Sequence, residues 1–226
     1  MADQEQAIEA GEAPTHDVAA LGLPAVAPAE GPQRVKPQPV WATKEAIEDA
    51  ADRFLERYRI EPGTPFGPVI KKLGGRINYA GWQGSSTETE SLTVFSRNDF
   101  EIVLPRDSIA LRDRYTTAHE LAHFLLHYRQ YDLETRKDGK QRTMVATRPQ
   151  GDERNPVSRE EMEADWFAVE LLMPRRAFRE FWAFARGDAR AVAERFAVPT
   201  RAALDRAKEL GLLLDQETPA PQRKCA

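Results

Sequence analysis

The sequence predicts an α+β fold, in which a small antiparallel sheet of three strands packs against a long helix and a helical C-terminal part follows. Two observations predict it. Three short runs with strand-like composition lie between residues 76 and 104 and are separated by turn-forming segments. From residue 109 to residue 213, apolar residues recur mainly at helical spacing.

The chain of 226 residues is long enough for one good-sized domain with tails. Residues 1–40 are rich in alanine, proline and glutamate. Such a segment cannot bury enough apolar surface to offset the entropy lost on ordering, so we expect a disordered tail. The folded domain is expected over residues 41–185 and a helix-turn-helix-like pair over residues 186–214. Residues 215–226 are expected to form a second, flexible tail.

The first elements of the folded domain are expected to be two helices and three strands. Thr43 is a suitable N-cap for a helix that reaches about Tyr58, and a shorter helix near residues 69–73 ends at Gly74. Short turn segments connect the strands, so neighbouring strands are expected to pair in antiparallel fashion. The strands are expected at Arg76–Trp82, Ser91–Ser96 and Phe100–Leu104.

A long amphipathic helix follows the strands. Asp107 or Ser108 is its expected N-cap, and its apolar positions run from Ile109 to about Tyr128. Residues 129–156 are charged and rich in turn-forming residues, so we expect a long connection that borders the functional cleft. Further helices are expected from Ser158 to Pro174, around Phe178–Phe184, and on both sides of a turn at Ala197–Thr200.

The long helix contains an HExxH motif, His119-Glu120-Leu121-Ala122-His123. At about 100° per residue, His119 and His123 lie roughly 40° apart on one helix face, where two neutral imidazoles can bind one zinc ion. Zinc makes bound water acidic near neutral pH, and the carboxylate of Glu120 can take its proton. The motif therefore predicts a zincin-like fold and metal-assisted hydrolysis of an amide bond, with Glu120 as the catalytic residue.

The third zinc ligand is expected on the helix that begins after Ser158. Glu161 and Asp165 lie one turn apart on one face, so Glu161 can reach the zinc while Asp165 accepts the spare N–H of a ligating histidine. Glu163 is the main competitor of Glu161, but its position about 160° around the helix places it on a more polar side. His127 lies too far along its helix to join the other histidines on one ion, and is expected to support a ligand or to lie at the surface.

The composition argues against several other classes of protein. The formal net charge of −4 argues against a general nucleic-acid binder, so any such binding is expected to be weak. The single cysteine, Cys225, excludes a disulfide framework and indicates a reducing compartment. Residues 1–6 lack the basic and apolar segments of a signal peptide, and no apolar stretch is long enough to span a membrane. We therefore expect a cytoplasmic protein without a membrane partner.

Two motifs in this chain resemble those of the ImmA/IrrE family of zinc metallo-endopeptidases. The first is Arg114-Tyr115-Thr116-Thr117-Ala118-His119-Glu120-Leu121-Ala122-His123, and the second combines Glu161-Met162-Glu163-Ala164-Asp165-Trp166-Phe167-Ala168 with Leu171-Leu172-Met173-Pro174. The likeness runs from about Thr43 to Leu214. It implies that His119, His123 and Glu161 bind zinc and that Glu120 is the general base. It also implies cleavage of a partner helix-turn-helix repressor that controls mobile-element, stress-response or DNA-damage genes.

Two alternatives use the same metal site without hydrolysis. One is a regulator that binds DNA with the C-terminal helices and holds zinc for structural support. The nearly balanced charges of those helices argue against it, and so does Glu120, because a structural site needs no base. The other alternative is a toxin–antitoxin component that acts by binding.

The peptidase hypothesis carries two further expectations. The substrate would bind as an extended strand along the edge of the sheet next to the active helix, for which Phe100–Leu104 is the expected strand. Tyr128 and Tyr131 are candidates for the group that stabilises the oxyanion of the transition state.

Overall fold

The protein is described by a computed structural model that covers residues 31–80, 88–106, 108–149 and 157–213. Most helices begin and end within a few residues of the predicted positions. In chain order the elements are β1 (Gln33–Val35), α1 (Lys44–Tyr58), α2 (Gly67–Lys72), β2 (Gly75–Ala80), β3 (Glu88–Ser96), β4 (Asp99–Pro105), α3 (Ala110–Ala122), a π-helical turn (His123–His127), α4 (Tyr128–Asp138), β5 (Arg142–Pro149), α5 (Arg159–Leu172), α6 (Arg175–Phe184), α7 (Ala189–Phe196) and α8 (Thr200–Glu209).

The sheet has five strands in the order β1-β5-β3-β4-β2. Strand β3 is antiparallel to β4 and to β5, whereas β1 pairs in parallel with β5 and β2 pairs in parallel with β4. The α+β class is as predicted, but the three-stranded antiparallel sheet is wrong in size and in strand direction. Strand β2 pairs with β4 rather than with β3. Gly75 permits this pairing, because a Cβ atom there would lie 2.3 Å from the ring of Phe100.

The segment before α1 contains strand β1 at Gln33–Val35, so the prediction of a disordered tail up to residue 40 is wrong at its C-terminal end. Gln33–Val35 pairs with Arg142–Met144 of β5. The hydroxyl of Tyr131 donates a hydrogen bond of 2.7 Å to the carbonyl of Lys36. Several backbone groups of this segment therefore bond to distant parts of the chain, which its composition does not reveal. Residues 1–30 and 214–226 lie outside the described ranges.

The predicted long connection over residues 129–156 is largely replaced by α4 and β5. The predicted break is found where Gly139 ends α4 with φ of 71°. The predicted helix from Ile109 to Tyr128 is also divided, because the π-helical turn interrupts it after Ala122. Ile109 occupies the N-cap without a side-chain hydrogen bond, and Ser108 does not cap the helix. Asp107 lies outside the described residues.

The core joins the sheet to α3 and α5. Phe100 of β4 stacks on Phe124 with ring centroids 4.0 Å apart, and Phe54 of α1 meets Phe167 of α5 edge to face. Helices α7 and α8 also pack on this core, since Phe196 and Ala203 are buried. The described chain from Pro32 onward thus belongs to one compact unit. None of the helices in the described ranges has the length and apolarity needed to cross a membrane.

Candidate metal centre

His119 near the end of α3 and His123 at the start of the π-helical turn lie side by side in a cleft. The opposite face of the helix is anchored by Ala118, Leu121 and Ala122, which are fully buried. The Nε2 atoms of the two histidines lie 3.1 Å apart, and their rings are inclined at 70°. Both Nε2 atoms therefore point to one position in the cleft.

Glu161 of α5 reaches the same position from the other side. Its Oε2 atom lies 3.0 Å from His119 Nε2, and its Oε1 atom lies 3.3 Å from His123 Nε2. Zinc ligands at about 2.0–2.2 Å in a tetrahedral site are spaced by about 3.3 Å. The structure thus brings together the three predicted ligands at a spacing that fits a metal ion, and they form the one such group among the described residues.

The electrostatics of the cleft favour a cation. Burial opposes a charge on His119, but hydrogen bonds to the Asp165 and Glu161 carboxylates raise its pKa to about 10. Burial likewise opposes ionisation of Glu161, yet the hydrogen bond from His119 and the adjacent His123 ring hold its pKa well below the usual range. In metal-free protein the carboxylates thus hold a proton on His119, and a metal ion bound there would replace that positive charge.

Asp165 lies one turn after Glu161 and orients His119. Its Oδ1 atom is 2.9 Å from His119 Nδ1, which leaves Nε2 of that ring for the metal. The hydroxyl of Tyr115 donates a second hydrogen bond, of 2.6 Å, to the same oxygen. The HExxH motif does not predict this role of Tyr115, but its position one turn before His119 on the same helix face is a sequence signal for it.

Glu120 has a feature expected of a base. Its side chain is buried in the cleft, and its Oε2 atom has no hydrogen-bond partner among the described residues. An unpaired buried carboxylate oxygen is costly, by about 1–3 kcal/mol, and such atoms concentrate at functional sites. The cleft has a volume of about 170 Å³ and is lined by Ser91, Tyr115, Thr116, His119, Glu120, His123, Ala146, Thr147, Glu161 and Asp165.

His127 and Glu163 are buried, so neither is a surface residue. His127 Nδ1 lies 2.9 Å from His123 Nδ1, and His127 Nε2 lies 3.2 Å from Glu163 Oε2. Burial and the neighbouring His123 lower the pKa of His127 to about 4, which keeps its ring neutral. The prediction that Glu163 lies on a polar, solvated side of α5 is wrong, because the segment before α1 and the π-helical turn cover that side.

Two expectations about the cleft are also wrong. Tyr128 and Tyr131 are buried away from it, and neither lines it. The Phe100–Leu104 strand is not an edge, because β4 is flanked by β3 and β2. Beside the cleft lies β5 instead. There β1 covers only Arg142–Met144, so the outer side of the next residues of β5 has no strand partner in the described part of the chain.

Residues 86–208 match the model of the IrrE N-terminal-like domain, peptidase family M78, over just over half of the chain. The match includes both metal-facing helices. No curated protein matches the chain. Among solved structures, a Mycobacterium tuberculosis transcriptional regulator is similar over 73% of this chain, with 14% identity and a TM-score of 0.47. This chain covers 46% of that protein.

Proposed function

Since the chain belongs to the peptidase M78 family, that of the IrrE N-terminal-like domain, we propose that it is a zinc-dependent endopeptidase acting on a regulatory protein. One observation carries the proposal. His119, His123 and Glu161 converge at the spacing of zinc ligands, beside a buried Glu120 carboxylate oxygen with no hydrogen-bond partner in the described structure.

The residues of the cleft have separate tasks in this reaction. A zinc ion held by the three ligands would supply Lewis acidity toward water and the substrate carbonyl. Glu120 accepts a proton from the attacking water and can deliver it to the leaving amine. Asp165 keeps the His119 ring in one orientation, and Tyr115 holds Asp165 in place.

The substrate would bind as an extended strand along the outer side of β5. Ala146 and Thr147 of this strand line the cleft, so a strand added there passes the metal ligands. The side chains at both positions are small, which allows the close approach of another backbone. The native β1 stops short of them, since Pro37, two residues after its end, has no N–H to extend the pairing.

As the substrate we propose a helix-turn-helix repressor, following the family resemblance. A DNA-binding role for α7 and α8 has less support, because their arginines are engaged within the protein. Arg190 pairs with Glu194 and Arg201 pairs with Asp205. Arg195 donates to a backbone carbonyl, and Arg206 is buried. Phosphate binding would require basic groups that are free to face the nucleic acid.

The test incubates the full chain with candidate helix-turn-helix repressors, beginning with any that is encoded beside its gene. With one equivalent of zinc we expect cleavage at a single peptide bond. A chelator should stop the cleavage, and added zinc should restore it. Cleavage by metal-free protein would contradict the zinc mechanism. If an unrelated peptide is cleaved while the repressor stays intact, the chain is a peptidase but the repressor is not its substrate.

A further inference from the structure

Behind the metal-facing side of His123 lies a buried chain of hydrogen bonds that the proposed reaction does not use. It runs from His123 through His127 to Glu163. The relative exposure of the three side chains is 1%, 0% and 0%. A polar chain buried this completely needs each of its donors to meet an acceptor.

Glu163 determines which atoms donate and which accept in these hydrogen bonds. Arg159 Nε and the backbone N–H of Val40 donate to the Glu163 carboxylate at 3.0 and 2.8 Å. Both partners favour the ionised form, and an ionised carboxylate only accepts hydrogen bonds. The nearest atom of His127, Nε2, must therefore carry a proton and donate it to Glu163.

The positions of the other ring protons follow from the proton on His127 Nε2. Two ring N–H groups cannot face each other at 2.9 Å, so one of the two Nδ1 atoms donates and the other accepts. His127 already places a proton on Nε2 toward Glu163, and with that single proton its Nδ1 atom is the acceptor. The facing Nδ1 atom of His123, 2.9 Å away, must then be the donor. With its proton on Nδ1, His123 presents an unprotonated Nε2 atom toward His119 and Glu161.

We propose that His127 and Glu163 are positioning residues that set the tautomer of His123 and so prepare its Nε2 atom for the metal. The proposal rests on the metal site of the proposed function. Helix α5 would then orient both histidine ligands, His119 directly through Asp165 and His123 through His127 and Glu163.

Two further observations support a positioning role. His123 and His127 are the first and last residues of the π-helical turn, and such turns are frequent at functional sites. The guanidinium of Arg159 is also held firmly. It lies over the rings of Trp41 and Trp166, at 5.9 and 4.7 Å, and donates to the carbonyl of Ala42.

The first test measures the tautomer in metal-free protein. The chain has only four histidines, so NMR spectra that correlate ring nitrogens with ring protons can be assigned by single substitutions. We expect His123 to be protonated on Nδ1 and His127 on Nε2. In His127→Leu, the Nδ1 preference of His123 should be lost. A wild-type His123 protonated on Nε2 would overturn the proposal.

The second test is a zinc titration of the purified full chain. His127→Leu and Glu163→Leu should each weaken zinc binding by about 10- to 100-fold. The double variant should bind no more weakly than His127→Leu alone, because Glu163 acts only through His127. Additive losses would show that Glu163 acts on the metal site by another route.

Conservative variants separate positioning from packing. Asparagine at position 127 can place its carbonyl oxygen near the site of Nδ1 and accept from His123, whereas glutamine places its amide near the site of Nε2. We therefore expect His127→Asn to recover most of the zinc affinity and His127→Gln to recover little. Equal affinities for these two variants would contradict the tautomer argument.

Tyr131→Phe is the matched control. It also removes a part-buried hydrogen bond to the segment before α1, but the hydroxyl of Tyr131 bonds to the carbonyl of Lys36 and is not part of the His123–His127–Glu163 chain. Its zinc affinity should equal that of wild type. If Tyr131→Phe loses as much zinc affinity as the His127 and Glu163 variants, general destabilisation explains the effect. If wild type binds no zinc, the proposed function fails, whereas the NMR measurement still tests the tautomer assignment.

Discussion

Glu120 differs from the other carboxylates of the cleft in its hydrogen bonding. Glu161 and Asp165 are both engaged by histidine nitrogens, whereas one oxygen of Glu120 has no partner among the described residues. A carboxylate oxygen with no hydrogen-bond partner is available to exchange a proton with water. Its role is therefore separable from metal binding.

Glu120→Gln should retain zinc and lose hydrolysis, because the amide keeps the volume of the side chain but cannot act as a base. Loss of a general base reduces the rate by about 10²- to 10⁴-fold. Zinc content and turnover measured on one preparation give both quantities. A variant with one equivalent of zinc and wild-type turnover would remove Glu120 from the mechanism.

Glu161→Ala should severely weaken zinc binding, because it removes one of the three convergent ligands. The adjacent Glu160 carries the same charge and is not part of this group, so Glu160→Ala is the matched control and should bind zinc normally. Isothermal titration of both variants makes the comparison. Similar losses in both would indicate a general electrostatic effect rather than ligation.

Between secondary-structure elements, a buried ion pair links α8 to α5. Arg206, which is 2% exposed, contacts the buried Glu170 and donates to the carbonyl of Met173 at 3.2 Å. Burial raises the pKa of Glu170 to about 7, against the opposing effects of Arg175 and Arg206. Such a pair is costly to break, because Glu170 is then left buried with only Arg175 beside it.

Arg206→Met should lower the free energy of unfolding by about 3–5 kcal/mol. Arg201→Met on the same helix is the matched control, because the Arg201–Asp205 pair is exposed, and it should leave the stability nearly unchanged. Urea unfolding of the full chain provides the measurement. Adding Glu170→Leu to Arg206→Met should recover part of the loss, and no recovery would count against the buried-charge explanation.

At the scale of the whole molecule, the metal site is built on a core that does not depend on it. The buried residues of the sheet and of α1, α3, α5, α7 and α8 form one apolar cluster. Metal-free protein should therefore stay folded, and zinc should add stability only by binding to the folded state.

Zinc at about 100 times its dissociation constant should add about 2.7 kcal/mol of stability. For a chain of this size we expect Tm to rise by roughly 5–11 °C. Thermal unfolding of the wild type with zinc and with chelator checks this, and Glu161→Ala should show almost no shift. Unfolding of the wild type by chelator alone would mean that the metal supports the fold.

The elements and the chemistry that depend on local spacing can be predicted from the amino-acid sequence alone. The interval between His119 and His123 places both rings on one helix face, and the interval between Glu161 and Asp165 does the same on α5. Helical periodicity is a property of neighbouring residues, so it predicts these faces without knowledge of the rest of the chain. The α+β class and most helix bounds follow for the same reason.

What surrounds those helix faces depends on the packing of distant segments. Glu163 lies on the side of α5 that periodicity assigns to solvent, but the segment before α1 and the π-helical turn bury it. The partners of β1, β2 and β5 were equally hidden, because strand pairing joins residues far apart in sequence. Whether a polar group is solvated or buried depends on which distant segment covers it, and spacing along one helix contains no information about that.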